Sequence, residues 1–190
     1  AVWDARPSVG DRIVVIGGGV VGLLVAVLCR QIPSARVSLV DVDPSREEVA
    51  RGLGLEFTES APAGADADFV FHASGNPQGL EAALSVAGVE ATVIELSWYG
   101  TQSVPLPLGE AFHSSRLTLR SSQVGRIPPD RAPRWNHARR LGTALDLLRD
   151  ERLDSLISGE SDFETLPEVM GRLAEDGRGV LCHRIRYAQP

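Results

Sequence analysis

Cysteine is scarce in this 190-residue chain, with Cys29 and Cys182 alone. They lie far apart, in stretches that read as apolar, and neither C-x-x-C nor Cys/His ligand spacing occurs. A disulfide framework and a cysteine-based zinc cluster are therefore not expected, and a reducing, cytoplasmic setting fits the usage. Basic charge is not in excess: 19 Lys and Arg face 25 Asp and Glu, a balance of -6 with a pI near 5.2. A surface built to hold phosphate backbones would be basic, so nucleic acid is not an expected partner. No long unbroken apolar run exists either. The longest, Ile13 to Cys29, contains three consecutive glycines and reads as strand, turn and helix, not as a membrane span or a secretory signal. Methionine occurs once, at Met170, and the chain opens Ala-Val-Trp-Asp-Ala as if partway through a helix. That opening suggests a piece of something larger, although removal of an initiator Met would also account for it.

What is present is a globular composition, 43% apolar and 23% charged. The pattern alternates strands and helices. Arg12–Ile16 reads as a strand buried on both faces, Val20–Gln31 as a buried helix ended by Pro33, and Arg36–Asp41 as a second strand. Asp43 and Pro44 read as an N-cap and a first helical residue ahead of a helix over Ser45–Leu53. Further strands are expected at Leu55–Thr58, Asp68–Phe71, Ala91–Leu96 and Leu117–Ser122, with helices at Gln78–Ala87 and Trp135–Asp150. Phe163–Glu175 is helix-like and Val180–Tyr187 strand-like, with Gly177 and Gly179 between them. Strand–helix–strand crossovers of this kind imply a doubly wound α/β fold around a parallel sheet, the Rossmann architecture, here with a C-terminal helix–strand extension.

Gly17, Gly19 and Gly22 satisfy G-x-G-x-x-G directly after a predicted strand and at the opening of a predicted helix. Gly17 permits the turn, Gly19 keeps side-chain atoms away from a diphosphate, and Gly22 allows helix and strand to pack closely. The free amides at Val20 and Val21 then face the phosphates, each charge gaining about 0.3–1 kcal/mol from the helix dipole in the open. Asp41 stands at the end of the second strand, about 20 residues beyond the last glycine, where an acid accepts hydrogen bonds from a ribose. A 2'-phosphate there would meet like-charge repulsion on the order of 4 kcal/mol per charge pair, so NAD is expected ahead of NADP. Arg46, five residues on, would offset that repulsion and leaves dual use open. The competing readings are a glycine turn that binds nothing and an aspartate that caps a loop.

Four blocks, Gly10–Leu24, Val40–Arg46, Asp68–Gly75 and Phe112–Gln123, together resemble the zinc-type alcohol dehydrogenases of the medium-chain dehydrogenase/reductase family. The resemblance covers nearly the whole chain, but only the family's cofactor-binding and C-terminal part. It implies a dinucleotide-binding Rossmann domain over residues 1–124 and a segment over 125–190 that returns to a catalytic domain not contained in this sequence. It also implies that Ser74 and Gly75 border the cofactor cleft, that the backbone of Leu96, Ser97 and Trp98 meets the nicotinamide carboxamide, that Ser122 to Val124 lie near the same ring, and that Arg178 reaches the diphosphate. His72 stands where the family often has an acid, and Ser121 where it often has glycine.

No catalytic residue and no metal ligand is expected here. His72, His113, His137 and His183 lack ligand spacing, so zinc would belong to the missing domain. His113 and Arg116 read as surface residues, as does the Arg-rich run from Arg126 to Arg140. The implied parent transfers hydride between a nicotinamide and an alcohol or carbonyl substrate, while this chain alone binds cofactor without turnover. The strand Leu117–Ser122, at a sheet edge, would pair with its copy in a homodimer. Other readings remain: an FAD enzyme, for which the chain is short; a methyltransferase, for which the first strand lacks an acid; and a non-catalytic nucleotide-sensing or assembly module.

Overall fold

A computed structural model describes residues 1–177 and 179–188. A one-turn helix α1 (Val2–Ala5) precedes β1 (Arg12–Ile16), α2 (Val20–Arg30), β2 (Arg36–Val40), α3 (Arg46–Gly52) and β3 (Glu56–Thr58). The second half-sheet follows as β4 (Ala67–His72), α4 (Pro77–Val86), β5 (Ala87–Glu95), α5 (Ala111–Ser114) and β6 (Thr118–Ser121). Then come α6 (His137–Leu147), a 3-10 turn over Glu151–Leu156, β7 (Ile157–Asp162), α7 (Leu166–Glu175) and β8 (Cys182–Arg186). The six main strands are all parallel and ordered β3-β2-β1-β4-β5-β6. This is the doubly wound Rossmann order, in which the strand sequence reverses between β1 and β4 and opens a crevice at their C-terminal ends.

The period of two in each strand builds a core on both faces. Ile13 and Val15 of β1, Val37 and Leu39 of β2, Phe71 of β4 and Ile94 of β5 join one cluster with Leu23, Ala26 and Cys29 of α2. Val14 and Ile16, Val40, Val70 and Val93 point the other way, onto Leu80, Ala83 and Leu84 of α4. Burying each such side chain stabilises by roughly 1.5–3 kcal/mol, which is why the short apolar runs settle as central strands. Leu153 and Leu156 of the 3-10 turn close the first cluster.

Several expectations are corrected. The third helix starts at Arg46, not Ser45, and Asp43 is not its N-cap. The Asp43 carboxylate instead accepts from the Ser45 amide at 2.9 Å, capping a tight turn that puts Pro44 ahead of the helix. The helix expected over Trp135–Asp150 spans only His137–Leu147, because the Asn136 side chain accepts from the Arg139 amide at 2.8 Å and caps it there. β5 begins at Ala87, sooner than expected, and its register with β4 is irregular between Ala87 and Thr92, where Glu90 takes φ 64°. β7, missed in the sequence because Ile-Ser-Gly-Glu-Ser-Asp carries little apolar signal, pairs in parallel with β8 in a separate two-stranded sheet. Cys182 is exposed on that ribbon, not in apolar surroundings, whereas Cys29 is buried and burial pushes its thiol up to about 12. The Arg-rich run is surface, as read, but it is stapled to the N-terminal helix: Trp3 meets Trp135 edge-on at 4.7 Å, Arg131 lies over Trp3 and Arg139 over Trp135.

Candidate functional site

The glycine turn closes the crevice between β1 and β4. Gly17 has φ 110° and donates its amide to the Val40 carbonyl at 2.8 Å. A Cβ there would stand 2.6 Å from the Ser74 amide nitrogen and 2.7 Å from the Ala73 carbonyl carbon. A Cβ on Gly22 would collide with the Gly17 carbonyl oxygen, so this glycine lets α2 lie directly on the turn. Gly19 differs: a Cβ there meets nothing within 4 Å, and as N-cap of α2 it leaves the helix start without a side-chain cap. Val20 packs on the core and Val21 is exposed, and the first amides of this 11-residue helix have no acceptor within the helix and no side-chain cap.

Asp41 follows directly on β2. Its Oδ2 accepts from the Gly18 amide at 2.5 Å and its Oδ1 from the Asp43 amide at 2.8 Å. The carboxylate is thereby fixed beside the glycine turn, with lone pairs left for further donors. The Arg46 guanidinium, its side chain 13% exposed, is held 3.4 Å from Asp43 Oδ2 and donates to the Val180 carbonyl at 3.4 Å. Arg178, two residues before that contact, lies outside the described residues.

Across the crevice, the loops after β4 and β5 are joined by a polar cluster. His72, fully buried at the end of β4, bonds Glu95 Oε2 through Nδ1 at 2.8 Å and Ser74 Oγ through Nε2 at 2.6 Å. The ionised carboxylate can only accept, so Nδ1 carries the proton and the Ser74 hydroxyl is free to donate to Nε2. Ser74 Oγ accepts from the Asn76 amide at 3.2 Å, and Ser97 Oγ accepts from the Gly75 amide at 3.0 Å. Glu95 also takes the Ser97 amide on Oε1 at 2.6 Å and the Tyr99 hydroxyl on Oε2 at 3.3 Å. The Leu96 amide donates to the His72 carbonyl at 2.9 Å, while Trp98 is 88% exposed. Ser122 lies one strand further out, donating its amide to the Glu95 carbonyl at 2.9 Å and its hydroxyl to Asp4 at 2.6 Å. His113 and His137 are exposed, and His183 bonds Ser161 Oγ at 2.9 Å. Among the described residues no group of three His, Cys, Asp or Glu side chains is arranged around a metal position. Likewise, no described helix is long and apolar enough to cross a membrane.

Burial raises the Glu95 carboxyl, but the hydrogen bonds from His72 and from the Ser97 amide more than offset it, and its pKa is lowered. Burial, then the neighbouring carboxylate, push the Tyr99 phenol up to about 12. A carboxyl lowered in the folded state stabilises fully above the ordinary value of 4.5 and loses that stabilisation as pH falls through its folded value. Glu95→Gln should therefore cost about 1–3 kcal/mol at pH 7, with a smaller difference from wild type below that window. Urea melts at both pH values check this, and a penalty independent of pH would contradict it.

Sequence reasoning missed Glu95 and Tyr99. The signal was there, because parallel register sets His72 against Glu95 at the matching ends of neighbouring strands, but register is not visible until the sheet order is known.

No protein-family model matches the chain. It is 27% identical over 182 residues to D-guloside 3-dehydrogenase of Escherichia coli K12, covering 88% of this chain and 52% of that protein. It is 31% identical over 80 residues to L-threonine 3-dehydrogenase of Rhizobium johnstonii, covering 42% and 23%. The chain thus spans about half the length of the first of these relatives. In fold it matches an alcohol dehydrogenase from Thermotoga maritima with a TM-score of 0.79 at 19% identity, over 97% of this chain and 53% of that one. A short chain alcohol dehydrogenase from Escherichia coli CFT073, solved with NADH, matches with a TM-score of 0.71 at 17% identity, over 96% and 54%. Sequence likeness along most of the chain and agreement of the fold together make this chain similar to the cofactor-binding and C-terminal part of the zinc-type alcohol dehydrogenases.

Proposed function

We propose that the chain is the NAD(H)-binding portion of a dehydrogenase that moves hydride between a nicotinamide and an alcohol or carbonyl substrate. The observation that carries this reading is the open space at Gly19, in front of an uncapped helix start, next to a carboxylate already oriented by the Gly18 amide. A diphosphate fits the first feature and a ribose diol the second. A bound nicotinamide would supply the hydride chemistry. The chain's own part is to bind and orient: the amides at Val20, Val21 and Gly22 take the diphosphate charge, Asp41 accepts from the adjoining sugar, and the loops carrying Ser74, Gly75, Leu96, Ser97 and Trp98 line the far side. Ser122 sits beyond them, and Arg178 is placed by the family resemblance alone. Arg46 is engaged with Asp43 and Val180, which leaves it less free to meet a 2'-phosphate and supports NAD over NADP.

Calorimetry should show saturable NADH binding, weaker NADPH binding, and no turnover of alcohols by this chain alone. Absence of NADH binding, or NADPH binding equally tightly, would overturn the assignment. In the same reading residues 125–190 pack on the parent's zinc-bearing catalytic portion, a role suited to the exposed Leu141 and Leu145 of α6 and Leu148 just after its end. Negligible binding of a hydrophobic dye to the chain would count against that. β6 lies at the sheet edge and would pair with its copy in a homodimer; a monomer in sedimentation would remove this contact. The setting proposed remains cytoplasmic.

A further inference from the structure

The cluster at the ends of β4 and β5 is more elaborate than the fold needs. One buried imidazole uses both ring nitrogens, on a carboxylate and on a serine hydroxyl. Through Ser74, whose oxygen also accepts from the Asn76 amide, it anchors the loop that leads into α4. Through Glu95, which takes the Ser97 amide and the Tyr99 hydroxyl, it anchors the loop after β5. The Gly75-to-Ser97 bond at 3.0 Å ties the two loops to each other. Gly79 of α4 is required above the pair, since a Cβ there would stand 2.7 Å from His72 Nε2 and overlap Ser74 Oγ. The Ser74 amide in turn backs onto Gly17, which connects this wall to the glycine turn.

The connectivity Ser74–His72–Glu95 is that of a serine nucleophile with its base and acid. Yet the nearby amides that would face an acyl oxyanion are spent, Gly75 on Ser97 Oγ and Asn76 on Ser74 Oγ itself. The hydroxyl is therefore held, not activated. Asp41 marks the β2 side of the crevice as the side that grips one sugar, and a dinucleotide lying across the switch point places its other nucleoside over β4 and β5.

We infer that His72, oriented by Glu95, is a positioning residue that fixes the Ser74 and Ser97 loops as the wall receiving the nicotinamide half of the cofactor. The inference rests on the proposed NAD(H) binding and adds that the two halves of the ligand are held by separable groups: the glycine turn with Asp41, and the histidine relay.

ADP-ribose, which lacks nicotinamide, separates the two. Wild type, His72→Gln and Ser74→Ala are titrated calorimetrically with NADH and with ADP-ribose, and bound NADH is followed by its emission. Both variants should weaken NADH about tenfold and lower the emission of the bound form, while ADP-ribose affinity stays within roughly twofold. Ser74 is exposed, so its variant keeps the test valid if His72→Gln fails to fold. Parallel loss of both ligands, or no change in either, would overturn the positioning role alone. Failure of wild type to bind either ligand would overturn the cofactor reading together with it.

Discussion

Gly22→Ala is expected to cost more than about 3 kcal/mol, at or beyond the upper end of ordinary overpacking, and to move the urea midpoint down by that loss, a large share of a typical stability of about 5–15 kcal/mol. The reason is geometric. The added methyl would fall on the Gly17 carbonyl oxygen, a backbone atom in the turn between β1 and α2, so no side-chain rotamer can relieve the overlap. Helix α2 would have to lift from the turn, and with it Leu23, Ala26 and Cys29 from the core they share with β1 and β2. An urea midpoint equivalent to a loss under about 1 kcal/mol would show that α2 does not sit on the turn as described.

Gly19→Asp, three residues earlier in the same motif, should do the opposite: keep the fold and remove the ligand. A Cβ at this position meets nothing, and φ is -73°, which any residue adopts. Aspartate is also a good N-cap, so stability should hold or rise slightly. Its carboxylate would occupy the space proposed for the diphosphate. At about 4 kcal/mol for one close like-charge pair, NADH affinity should fall roughly a thousandfold, beyond detection in an ordinary titration. Retained NADH binding in a folded Gly19→Asp chain would place the diphosphate elsewhere. The contrast between the two variants is sharper than either alone, because the motif's glycines then fail in different assays.

Legibility in the sequence followed the range of the interactions. β1, α2 and β2 are set by local period and by Gly22, which packs on the Gly17 carbonyl in the same turn, and their predicted bounds agree with the structure to within a residue. The position of Asp41 beside the turn was legible for the same reason, as the end of an unbroken strand. What escaped depended on partners distant in the chain. His72 reads as a histidine without ligand spacing, just past a predicted strand, until Glu95, 23 residues on, is brought alongside it by the β4–β5 register. The link from Arg46 to Val180 spans 134 residues and has no local signature. β7 is nearly devoid of apolar residues and holds its place through β8, where Arg184 and Arg186 pair with Glu160 and keep its carboxyl low. Family resemblance implies that Ser74 and Gly75 border the cleft, but carries no sign of the buried His72–Glu95 pair that holds their loop.

Amides opening α2 are proposed to hold the diphosphate while Asp41 holds the neighbouring ribose. A crystal structure of the chain with NADH tests it most directly. Phosphate oxygens are expected within hydrogen-bond distance of the Val20 and Val21 amides, and a ribose hydroxyl on an Asp41 oxygen. Dinucleotide seated away from the β1–β4 crevice, or a crevice filled by side chains with Asp41 facing only its own backbone, would contradict it.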